Sequence, residues 1–309
     1  MTTARSRAPL AAWLVAPLAL ALVLITAGAA RAGSVILLKS STLAPYQAAA
    51  AGFRDAYRGE VVESSLEDAD AAALERRIAA LRPDAVVAVG LKATLFARDR
   101  FPRTPLVYCV VQNDERYELS GGWITGVSTD VAPGSEVEAL RGALPDAQRI
   151  GLIYGRATGA ALAKAAREAC EAAHLTLVEA PVSSLSELPA QARDLAGRVD
   201  ALWMPADPTV ATPEAFRFLL ELSLEQRKPL LVFSESLVRA GALMAVSPDY
   251  AWVGARAAEE VRRIQTGERA GDIPVAPLRR TRVILNASAA HALGRDLPAA
   301  ALRDAEVLN

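Results

Sequence analysis

The sequence predicts an α/β protein made of two successive doubly wound lobes, each built on a parallel sheet. Three observations carry this. Short apolar runs of β type alternate with amphipathic helical stretches along most of the chain. Most of those runs are bare of charge over three to five residues, as strands covered on both faces require. A polar break at 112–122, QNDERYELSGG, interrupts the alternation, which then starts again.

In the first half, 35–39, 61–65, 85–89 and 106–111 read as strands, and 43–58, 69–81 and 93–100 as helices. Asp68 is placed to cap the second of these helices. Beyond the break, 124–128, 150–154, 175–180, 201–204 and 230–233 read as strands. The helices there are 157–173, 188–197 and 213–227, and Pro213 suits a first turn, where a missing N–H costs little. The architecture repeats, but the sequence carries no clear internal repeat.

Residues 1–32 read as an export signal. Arg5 and Arg7 precede an uncharged apolar run at 10–25, and Ala30-Arg31-Ala32 forms a small-x-small cleavage site, so a mature chain begins near Gly33. A retained membrane anchor is the alternative. The run falls short of the about 20 residues a bilayer needs, and Pro17 interrupts it. No cysteine stands at the cleavage point for lipid attachment. A periplasmic protein is expected, and a monomer. Cys109 and Cys170 make no disulfide framework and are expected as free buried thiols. Lys and Arg number 34 against 35 Asp and Glu, which gives no electrostatic reason to expect nucleic acid.

Open parallel sheets bind ligands outside the carboxyl ends of their strands. The candidate site is therefore the set of loops 40–42, 90–92, 112–114, 155–158, 206–209 and 234–236, facing one another across a cleft. No catalytic, metal or cofactor site emerges. His174 and His291 have no ligand-spaced neighbours, and no nucleophile elbow or Walker phosphate loop occurs. The segment Gly155-Arg156-Ala157-Thr158-Gly159 follows a strand and opens a helix, but lacks dinucleotide spacing.

The candidate residues each admit two readings. Ser40, Ser41 and Thr42 either bind a carboxylate or cap the next helix. Gly90 and Lys92 stand on the loop after the third strand. Lys92 and Arg156 either meet an anionic group or are solvated at a lobe rim. Gln112 and Asn113 either hydrogen-bond a polar solute or form a surface turn. Asp207 either pairs with a ligand ammonium or shapes an Asp-Pro turn. Ser234 and Glu235 follow the strand 230–233, and Glu235 either binds solute or favours a helix start through its charge.

Taken in order, a further set of segments resembles the ABC-transporter substrate-binding family that includes tryptophan- and tyrosine-binding members. These are Gly52-Phe53, PDAVVAVG at 83–90, TPLVYCVVQND at 104–114, WITGVS at 123–128, LPDAQRIGLIYGRATG at 144–159 and DALWMPADPTV at 200–210. Gly241-Ala242, Asp249-Tyr250, Gly254, Gly267, Ile273-Pro274-Val275, Leu285-Asn286, Ala290 and Leu293-Gly294 follow. The resemblance implies the type I periplasmic-binding-protein fold, with a multi-crossing hinge near 126–128, 247–249 and 276–280. It implies lobe one at 33–126 plus about 249–277, and lobe two at 127–248 plus about 278–309. It also implies closure around a small solute, an amino acid or related molecule, and delivery to a permease with its ATPase. The same closure could instead signal to a membrane receptor. Two turns that border the cleft in the family differ here. Gln112-Asn113-Asp114 stands for Thr-Asp-Pro, and Tyr154-Gly155-Arg156 for Tyr-Asn-Pro. Tyr154 enters the candidate site by that route.

Overall fold

The computed structural model describes residues 34–309 save Ala69 and Ser120. The export-signal reading falls outside those residues. Among the described residues no helix is long and apolar enough to cross a membrane.

The first sheet contains β1 (Ser34–Lys39), β2 (Glu60–Ser65), β3 (Ala85–Val89), β4 (Leu106–Cys109) and β5 (Ile124–Gly126). Its order is β2-β1-β3-β4-β5, and every pairing is parallel. Helices α1 (Ala44–Ala56), α2 (Ala71–Leu81) and α3 (Leu91–Arg100) connect its strands. All five residues of β3 are buried, because helices cover both faces. The cap of α2 is Asp70, which accepts from Ala73 N at 2.8 Å, rather than Asp68. The helix starts later than the sequence suggests, which leaves Asp68 in the preceding turn.

The second lobe begins with α4 (Pro133–Ala143), β6 (Arg149–Gly155), α5 (Ala160–Ala172) and β7 (Thr176–Val182). It continues through α6 (Leu188–Ala196), β8 (Ala201–Trp203), α7 (Pro213–Gln226), β9 (Leu230–Val232), α8 (Glu235–Arg239) and β10 (Met244–Pro248). The chain then forms α9 (Tyr250–Gln265), followed by β11 (Thr281–Asn286), α10 (Ala287–Ala292), α11 (Ala299–Asp304) and β12 (Ala305–Leu308). The second sheet has the order β12-β11-β10-β9-β8-β6-β7. The β10–β11 pairing is antiparallel, and the other pairings of this sheet are parallel. The chain enters β11 from the interlobe side, where Asp249 N donates to Arg280 O at 3.0 Å, so this strand must run against its neighbour.

Alternating side chains divide the second core into two layers. Ile153, Leu202 and Val232 pack with α6 and α7, whereas Leu152, Trp203 and Leu231 pack with α4 and α5. Cys109 and Cys170 are free and buried, and burial pushes their thiols up to about 12 and about 11.

Helix α9 returns to the first lobe. Val253, Ala257 and Val261 share a core with Val35, Leu37 and Phe53. Its N-cap is Asp249, which accepts from Trp252 N at 3.1 Å. A Cβ at Gly52 would collide with the Ala251 carbonyl, and one at Gly254 with the Ala49 carbonyl. The absence of both lets α1 and α9 meet backbone to backbone. Nearby, Val127 bridges Ala276, with Ser128 N donating to Ala276 O and Ala276 N to Gly126 O, each at 2.9 Å. The connecting segments are thus hydrogen-bonded to one another between the sheets.

Two predictions follow from this packing. Gly254→Val should destabilise the protein by roughly 3 kcal/mol through overpacking. Gly134→Ala, in a helix position where an added Cβ meets nothing, should instead raise stability by up to about 1 kcal/mol. Denaturant unfolding of both variants checks this. The second prediction concerns Glu136, buried in α4 with Trp203 Nε1 donating to Oε1 at 3.3 Å. Desolvation outweighs that bond and pushes the carboxyl up to about 8, from an ordinary value of 4.5. Between these values the folded state holds a proton that the unfolded state has released, so stability falls as pH rises through the window. Glu136→Gln should flatten the pH dependence of unfolding free energy there, with a gain on the order of 2 kcal/mol at pH 8.

Candidate ligand-binding cleft

The carboxyl ends of the strands from the two sheets face each other, and most polar groups there are bonded within their own wall. On the first wall, Lys39 ends β1 and is buried, its ammonium 2.5 Å from Glu63 and donating to Gln47 at 3.0 Å. Ser40 Oγ accepts from Ala93 N at 2.9 Å, which fastens the start of α3. Ser41 is half-buried and its Oγ accepts from Leu43 N at 3.3 Å. Thr42 donates its N–H and hydroxyl to Glu67 Oε2 at 2.8 and 3.0 Å. Those two bonds, with Lys92 nearby, hold the Glu67 carboxyl below its ordinary value. Gly90 has φ +96°, and a Cβ there would strike the Tyr46 ring and Ser40 Oγ. Only glycine lets the loop pass beneath that ring.

The loop after β4 is tightly turned. Val110 takes φ 57° and Asn113 φ 51°, both in the left-handed region, which is rare for a β-branched residue. Buried Tyr108 donates its hydroxyl to Asp114 Oδ2 at 2.7 Å. Burial, then the Asp114 bond, push that phenol well above its ordinary value. Asn113 N donates to Asp130 Oδ1 at 2.8 Å. Burial raises the Asp130 carboxyl against that bond, with Asp114 and Glu115 adding to the rise. Gln112 is exposed.

On the second wall, buried Asp207 ties two loops together. Its Oδ1 accepts from Gly155 N at 3.0 Å and Thr209 N at 2.9 Å, and its Oδ2 from Thr158 Oγ1 at 2.6 Å. This turn explains why α5 starts at Ala160 rather than at 157. The carboxylate that sequence reasoning offered to a ligand ammonium is therefore engaged by its own loops. Tyr154 packs in the lobe-two core and donates its hydroxyl to Glu179 at 2.8 Å. Arg156 reaches Pro181 O at 3.2 Å and Ser183 Oγ at 3.4 Å. Ser234 Oγ lies 3.0 Å from Ser236 Oγ. Glu235 accepts from Arg239 at 2.8 Å and Arg282 at 3.4 Å, and Arg282 continues to Glu306 at 2.8 Å.

Two tyrosines complete the site, and sequence reasoning had not assigned either to it. Tyr46 is in the first turn of α1, and Tyr250 opens α9. Burial pushes the Tyr250 phenol up against a Ser247 hydrogen bond, with Tyr46, Arg282 and Glu235 in its electrostatic reach. The available signal was positional, since first turns of helices after strand carboxyl ends line such clefts. His174 instead sits in the turn between α5 and β7, with φ 57°. Among the described residues, no group of three or more His, Cys, Asp and Glu is placed to hold a metal.

Residues 49–307 match the family model described as ABC transporter substrate binding protein. The chain belongs to that family. It is a family of solute-binding proteins, not of enzymes. A Tyrosine-binding protein of Clostridioides difficile (strain R20291) is 26% identical over 178 residues, 57% of this chain. The chain spans about half, 51%, of that relative's length. An ABC domain in complex with L-Trp from Streptococcus pneumoniae aligns with a TM-score of 0.64 at 21% identity, covering 89% of this chain and 99% of its own. The ligand-free, open form of a substrate binding protein with adhesive properties from Clostridium difficile aligns at 0.73 and 20% identity, covering 90% and 99%. The shared architecture is the type I periplasmic-binding-protein fold.

The Asp207 knot makes a direct prediction. Asp207→Ala removes three hydrogen bonds and strands their donors, and should cost on the order of 3 kcal/mol in unfolding free energy. Thermal denaturation of the variant beside the parent measures it.

Proposed function

We propose that this protein is the extracytoplasmic receptor of an ABC importer, a periplasmic monomer that captures a small polar solute, an amino acid, between its lobes. The lobes close on the solute by hinge motion, and the closed complex delivers it to a permease with its ATPase. The family match over 49–307 carries this reading. An aromatic amino acid is the favoured cargo. The Tyrosine-binding relative and the L-Trp complex point to that class, and Tyr46 and Tyr250 supply rings suited to a planar side chain. Polar anchoring falls to groups not absorbed by the walls, with Ser41, Lys92 and Gln112 foremost. Ser40, Asp207 and Glu235 act through the shape of the wall.

Isothermal titration with the twenty amino acids tests the proposal. Tight binding of tyrosine or tryptophan and weak binding of small aliphatic amino acids is the expected outcome. Tyr46→Ala should then weaken the tight ligand by up to about tenfold, the scale of one aromatic contact. Absence of binding by every amino acid would overturn the assignment.

A further inference from the structure

We infer that lobe two carries a second binding site, separate from the interlobe cleft, that takes an aliphatic amine. The site is a slot of about 390 Å³ between α4 and α11, with β10 and β11 beneath it. That volume lies within the range of small-molecule sites, and so does the make-up, an apolar lining with a few polar groups. None of the lining residues belongs to the loops that face the cleft.

The slot exists because the side chains that could close it are missing. Helix α4 presents Ala139, Gly142 and Ala143 along one wall, and α11 presents Ala300 and Ala301 along the other. Helix α11 buries none of its residues. Its one large apolar side chain, Leu302, is exposed and takes no part in the lining. The floor is the sheet itself, at Val246, Val283 and Leu285. Val246 and Leu285 are buried, whereas Val283, at the edge of the same core layer, is only half-buried. An aliphatic chain laid on this floor covers apolar surface that the two helices leave open. Each methylene it buries is worth about fourfold in affinity.

Charge at the mouth selects the head group. Glu138 from α4 and Asp304 from α11 are the only charged residues of the lining, and both are acids. Both are exposed, and neither makes an ion pair or hydrogen bond among the described residues. Arg141, on the same helix as Glu138, lines the neighbouring groove with Ala169 and Ala172 instead. An ammonium between the two walls is attracted from both sides, and a carboxylate in its place is repelled from both. Ser135 and Thr281 add hydroxyl oxygens able to accept from an ammonium. The slot therefore holds an apolar tail on the sheet and a cationic head at the rim.

Amide chemical-shift titration of the isotope-labelled protein with butylamine, hexylamine and octylamine tests the site, with hexanoate as the control of reversed charge. Saturable shifts should cluster at Ala139, Val283 and Ala301, and affinity should rise about fourfold with each added methylene. Hexanoate should give no saturable shift there. The double variant Glu138→Gln, Asp304→Asn should bind hexylamine roughly tenfold more weakly, the scale of two surface ion pairs. Ala301→Leu fills the slot and should abolish binding. If that variant fails to fold, the double variant decides. Shifts confined to the interlobe cleft, an equal response to hexanoate, or an affinity unchanged in the double variant would overturn the inference. The amino-acid assignment of the cleft stands or falls separately, since the two sites share no residue.

Discussion

Main-chain contact between α1 and α9, possible because Gly52 and Gly254 carry no Cβ, ties the late segment of the chain to a sheet laid down before the second lobe begins. The rest of the architecture follows from that return. The chain must leave the first lobe, come back to it and leave again, so three connections run side by side between the sheets. They stiffen one another through the Val127–Ala276 bridge and the Asp249–Arg280 bond. The last connection enters the second sheet from the interlobe side, which reverses β11 relative to β10. A motion that changes the lobe separation must therefore be shared among all three segments, and this favours rigid-body rotation over bending of one linker.

The cleft walls spend most of their polar groups on themselves. Asp207, Ser40 and Thr42 each satisfy main-chain donors or a neighbouring carboxylate, so they fix loop shape. Preformed walls lower the ordering cost of binding, because few side chains have to be immobilised when a solute arrives. On the proposed reading, rings and a few polar tips carry the selectivity. Val110 holds a left-handed backbone in the same tightly turned loop after β4.

Strands buried on both faces announced themselves by charge-free apolar runs, and most helices by their period and by Pro213 in a first turn. The two-lobe division was visible in the polar segment at 112–122. What the residues did not reveal has a common physical cause. β12 is a short edge strand, AEVL, that carries a charge and follows directly on a helix, so it has no strand signature of its own. The Asp207 knot joins loops about fifty residues apart, and a carboxylate waiting for a ligand looks the same in sequence as one held by three donors. Tyr46 and Tyr250 lie on helices at opposite ends of the chain and meet only because α9 returns to α1. The Tyr154–Glu179 bond, which joins neighbouring strands, was equally invisible in the sequence.

The discontinuity of both lobes bears on how the chain is made. The first lobe lacks a core helix until residue 265 has been synthesised, and the second lacks two strands until nearly the last residue. The core of the first lobe cannot close without α9, whose Val253, Ala257 and Val261 are buried against its sheet, and the second sheet lacks the partner of β10 until β11 is made. Long-range pairings of this kind fold slowly. Until β11 is made the edge of β10 stays open, so the stretch from α9 through β11 decides between a completed sheet and one that pairs with its neighbours.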